Sequence, residues 1–134
     1  MRPATLAEAY ERIIGGDESE TALSEFLDTF YLEETPERRL DKLRPEPPLT
    51  GDARLDALAG AVAEYLARQY KLPNIPPWAF EPIRYLDRAW HTTPFDSDAM
   101  REYLAFASPA EFCSRNIFTE ERPLRRARAG LKQL

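Results

Sequence analysis

His91 is the only histidine of the 134 residues, and two carboxylates close by in sequence, Asp87 and Asp96, are candidates to orient its imidazole as a general base. Its neighbours Trp90, Thr92 and Thr93 bring neither a metal site nor an activated nucleophile. A histidine hydrogen-bonded at a loop or helix end is the simpler reading. Cys113, the single cysteine, follows Phe112 near the end of a short helical pattern. The negative end of a helix dipole disfavours a thiolate there, so a buried, inert thiol is expected.

Other constellations are equally thin. One histidine and one cysteine do not make a zinc cluster, and Asp96-Ser97-Asp98 lacks the glycine and distal glutamate of a calcium loop. Helix capping accounts for those aspartates. Gly15-Gly16 has neither the lysine nor the spacing of a phosphate-binding loop. The expectation is a non-enzymatic protein with no metal and no cofactor, an enzyme built on His91 being the weakest alternative.

Two sets of residues point to binding instead. Residues 115–134 hold six basic and two acidic side chains, and Arg122, Arg125, Arg126 and Arg128, with Arg115, Lys132 and Phe118 nearby, suit phosphate neutralisation. The chain as a whole is acidic at −5, and no helix-turn-helix with a basic second helix stands out. Nucleic-acid binding through this cluster is therefore the alternative, and a solvated tail or a contact with an acidic partner the simpler reading. The second set lies in LPNIPPWAFEPIRYLDRAWHTTPF, residues 72–95, with both tryptophans and five of the twelve prolines. Aromatic surface on backbone that cannot continue a helix either covers a core or forms a preset recognition surface. Trp78, Phe80 and Trp90 are the candidate anchors of a partner-binding face, with Tyr85 beside them and Arg84 and Arg88 as flanking charges.

The elements that must position this segment read as helices. Leu6, Ala9, Tyr10, Ile13 and Ile14 form one apolar helical face after Thr5 as N-cap, and Gly15-Gly16-Asp17 stops it. Ala22, Leu23, Phe26, Leu27, Phe30 and Tyr31 form a second, with Glu20, Ser24, Glu25, Asp28 and Glu33 on the opposite, acidic side. The short turn between the two predicts an αα-hairpin. Thr35-Pro36 opens a short helix to Leu43, and Arg44-Pro45-Glu46-Pro47-Pro48 forces an extended path. The longest helix runs from about Asp52 to Tyr70, capped by Thr50 or Asp52. Leu55, Leu58, Ala59, Val62, Ala63 and Leu66 are its buried stripe, and Gly60 admits close approach of a neighbour. Asp96 is expected to cap the next helix, with Phe95 and Met100 as a hydrophobic staple. Ser108-Pro109-Ala110-Glu111 then reads as a capping box opening a helix to Arg115. Residues 116–119 are expected to be briefly extended.

Composition agrees with one domain, since the chain is long enough to bury roughly two-thirds of its unfolded surface without a metal or disulfide. Residues 1–34 carry two basic and nine acidic side chains, so an acidic head precedes the basic tail. Without a leader, a long apolar run or a cysteine pair, a cytoplasmic protein off the membrane is expected.

FLDTFY at 26–31, LTGDARLDALAGAVAEYLARQYKLPNIPPW at 49–78, RYLDRAWHTTP at 84–94 and SPAEFCSRNIF at 108–118 together resemble an uncharacterised family of small bacterial helical proteins. Some members carry an N-terminal helix-turn-helix of the phage-repressor type, and members are similar to proteins encoded beside nucleotidyltransferase-like genes. The resemblance covers roughly residues 22–127 and implies a toxin–antitoxin or related regulatory pair, hence a protein partner encoded nearby. It implies no catalytic residue. Only about 20 residues precede the similarity, too few for a repressor-type DNA-binding domain. The expected architecture is all-α: a single compact domain, 1–134, of five or six helices. It has a helical hairpin plus short helix at 1–43, a main helical core at 50–118 with the proline-rich aromatic strap across it, and a basic tail at 119–134.

Overall fold

A computed structural model describes residues 2–93 and 97–124. They form six α-helices, two 3₁₀ turns and one pair of two-residue strands, so the chain is all-α with a small strand bridge. Helix α1, Leu6–Ile14, opens where the Thr5 hydroxyl accepts the Glu8 N–H at 3.1 Å. The turn to α2, Ser19–Leu32, is made by Gly16 at φ 117°, a conformation that a side chain would strain. Thr35 caps α3, Pro36–Asp41, by accepting the Arg38 N–H at 3.2 Å. Asp52 takes the Arg54 and Leu55 N–H groups at the start of α4, Ala53–Gln69. Thr50, the other candidate cap, instead donates its backbone N–H and its hydroxyl to the buried Asp56 carboxylate at 2.8 and 2.9 Å.

Two caps differ from expectation. Helix α5, Asp98–Ala107, is opened by Ser97, whose hydroxyl accepts the Met100 N–H at 3.1 Å. Asp96 and the Phe95 half of the staple lie outside the described residues. Helix α6, Ala110–Cys113, has no side-chain cap. The Ser108 hydroxyl accepts the Thr119 N–H at 2.8 Å and donates to main-chain carbonyls, so a tertiary bond displaces the capping box.

Helix α4 is the axis of the fold. A stripe was expected, yet its alanines, Gly60, Val62 and Leu66 are buried nearly all the way round. On one side lies a cluster built from Leu6, Tyr10, Phe26, Phe30, Leu43 and Trp78. On another, Ala57 and Ala61 meet Phe112 and Ile117. Residues 1–43 therefore share one apolar cluster with α4 and the strap.

The strap takes two 3₁₀ turns, Pro77–Phe80 and Pro82–Arg84, and then strand β1, Trp90–His91. Strand β2, Ile117–Phe118, pairs with β1 in parallel, Trp90 opposite Ile117 and His91 opposite Phe118. The extension at 116–119 was legible; its partner was not. Asn116 at φ 66° turns the chain into this pairing, and its side-chain amide donates to the Leu86 carbonyl at 2.7 Å. Among the described residues no helix is long and apolar enough to cross a membrane.

Candidate functional site

The strap is fixed to α4 at a notch. A Cβ added at Gly60 would stand 2.9 Å from the Ala79 carbonyl oxygen, 2.9 Å from Arg115 Nε and 3.0 Å from Arg84 Cβ. Only a residue without a side chain lets these three groups lie on the helix. Both arginines are fully buried. Arg84 Nη2 donates to the Pro47 carbonyl at 2.8 Å and to Glu46 Oε2 at 3.3 Å, while Nη1 donates to the Asp56 carbonyl at 3.2 Å. Arg115 Nη1 donates to Glu64 Oε1 at 2.7 Å and to the Glu111 carbonyl at 2.8 Å, and Nη2 donates to the Ala79 carbonyl at 2.7 Å. The other oxygen of Glu64 meets Arg68 at 2.9 Å. Planar guanidinium groups thus clamp backbone carbonyls of strap and proline linker onto α4.

These contacts correct the sequence reading at three positions. Arg84 is no flanking surface charge, because its guanidinium is consumed by the linker and Asp56. Arg115 is withdrawn from the basic cluster for the same reason. Trp78 is 6% exposed. Its indole Nε1 donates to the Leu43 carbonyl at 3.0 Å, with Arg84 5.0 Å from the ring, so it is a lid of the core and not an outward anchor.

Phe80 at 43% and Ile83 at 55% remain exposed, and Arg88 is exposed. Arg115 lies 5.8 Å beneath the Phe80 ring. Beside them Glu81 shares a hydrogen bond with Glu46, and that bond above all raises its carboxyl above the usual range, Arg84 opposing.

Trp90 is half-buried and walls a groove of about 380 Å³. Leu23 and Leu27 of α2, Leu58 of α4, Ile117 of β2 and Leu124 supply its apolar lining, and Ser19, Glu20, Ser24, Thr92 and Thr119 its polar lining. Arg54 stacks 5.4 Å from the Trp90 ring, and the Tyr31 hydroxyl holds the Leu124 carbonyl at 2.7 Å. Sequence reasoning selected Trp90 but missed the leucines. Their helical spacing reads as core and does not reveal that part of the face is left uncovered.

His91 stacks on Phe118, centroids 5.1 Å apart at 19°, and no carboxylate among the described residues bonds it. Cys113 is half-buried with Sγ 3.8 Å from the Ala110 carbonyl. No metal-holding group of three or more His, Cys, Asp or Glu residues occurs among the described residues. Arg122 is exposed, and Arg125, Arg126 and Arg128 lie outside the described residues. Comparison with protein-family models, curated proteins and solved structures finds no match.

Proposed function

We infer that the protein is a non-enzymatic interaction module, antitoxin-like or regulatory, that binds a protein partner in the Trp90 groove. The groove carries this reading. It combines an aromatic wall, leucines from two helices and a hydroxyl-bearing rim, the composition of a protein-recognition site with apolar centre and polar edge. At about 380 Å³ it is roughly twice the ~150 Å³ cavity that accommodates benzene, so it has room for large apolar side chains. The resemblance to small bacterial proteins encoded beside nucleotidyltransferase-like genes supports a partner encoded nearby. Nucleic-acid binding through Arg122, Arg125, Arg126 and Arg128 would use a different surface, since the groove has a glutamate and no basic side chain in its lining.

Co-expression with neighbouring genes followed by co-purification tests the reading. Ser24→Trp, which fills the groove, and Trp90→Ala, which removes its wall, are each expected to reduce recovery of the partner at least about tenfold. Unchanged recovery with both variants overturns it.

A further inference from the structure

The groove is flanked by acid on both sides. Helix α2 has Glu20, Glu25 and Asp28 and no basic residue among its fourteen, with Glu18 as its N-cap. The opposite wall, Thr119 to Leu124, carries Glu120 and Glu121, both exposed. Among the described residues Glu20, Glu120 and Glu121 form no ion pair. The neighbouring cations are Arg54, spread over Trp90, and Arg122. Like charges left uncompensated around an apolar cleft repel one another, a repulsion that a cationic ligand relieves on arrival.

We propose that the groove's occupant is a basic segment of a protein partner, presenting large apolar side chains flanked by lysine or arginine. This rests on the groove being the docking site and adds the chemistry of what docks. Leucine-sized groups fill the space between Leu23, Leu27, Leu58 and Trp90. Cationic groups on either side of them reach Glu20 on one lip and Glu120 and Glu121 on the other. The exposed carboxylates contribute chiefly to encounter rate and to exclusion of acidic competitors, and the apolar floor to residence time.

Three synthetic peptides with the same leucines, flanked by lysine, serine or glutamate, are titrated into the full chain at low and high salt while Trp90 fluorescence is followed in a Trp78→Phe background. The lysine peptide is expected to bind at least about tenfold more tightly than the glutamate peptide, with the preference shrinking at high salt. Glu20→Gln with Glu121→Gln, both at exposed positions, is expected to shrink it likewise without altering the melting temperature. Equal binding of all three peptides overturns the proposal and leaves the groove as a docking site. Failure of every peptide to bind, with Ser24→Trp and Trp90→Ala also without effect on co-purification, overturns both. Concentration-dependent self-association abolished by Ser24→Trp would assign the groove to a second copy and overturn the proposal.

Discussion

Glu64 shows how much an individual side chain is asked to hold: one carboxylate, 7% exposed, lies between the fully buried Arg115 and the more open Arg68. Removing one member of a buried pair strands the other, so Arg115→Met is expected to lower unfolding free energy by about 3 kcal/mol in urea denaturation. Adding Glu64→Leu is expected to recover most of that loss, because apolar groups of similar volume replace such a pair almost neutrally. A second residue-scale prediction concerns Glu81. Its pKa is raised in the folded chain, chiefly by the hydrogen bond with Glu46. The folded state therefore holds this proton more tightly than the unfolded one. The resulting stabilisation is complete below the ordinary carboxylate range and is lost as pH rises through the raised value. Glu81→Gln keeps an N–H donor toward Glu46 at every pH. Melting temperature measured between about pH 4 and 7 is expected to fall less in this variant than in the parent chain.

Among the elements, α4 depends most on what it lacks. Gly60→Ala gains up to ~1 kcal/mol of helix propensity, yet its methyl group meets the Ala79 carbonyl and Arg115 Nε at 2.9 Å. Overpacking of this kind is expected to outweigh the gain and leave a net loss of about 1 to 2 kcal/mol, read from chemical denaturation. The helix periods, the caps at Thr5, Thr35 and Asp52 and the glycine notch were legible in the sequence because each rests on local spacing. What stayed hidden depends on distant chain. Arg84 and Arg115 sit among polar and aromatic neighbours and read as surface, since the carbonyls of Pro47, Asp56 and Ala79 that neutralise their burial cost are far away in sequence. Ser108 carried a local capping signal that Thr119, eleven residues on, took over. Trp90 was picked out as an anchor by residue type, whereas the groove beside it arises only when α2, α4 and the 117–124 segment meet.

For the whole molecule, α4 joins the two apolar clusters, and each contains or touches one of the only two tryptophans. Trp78→Phe reports the second cluster through Trp90, and Trp90→Phe reports the first through Trp78. Both variants are expected to unfold in urea at midpoints coincident with far-ultraviolet circular dichroism, because neither cluster keeps its wall once α4 is lost. Separate midpoints would show that the clusters are independent units. The parallel bridge has a different standing in time. It joins residues 27 positions apart in register, Trp90 with Ile117, and rests on few rungs, among them the Trp90 N–H to Asn116 at 2.8 Å and the Thr92 N–H to Phe118 at 3.0 Å. So short a ladder opens far more often than the helices around it unfold. One wall of the groove therefore has a lifetime of its own, and the amide protons of Trp90 and Thr92 are the clocks that would register an occupant by slowing their exchange with solvent.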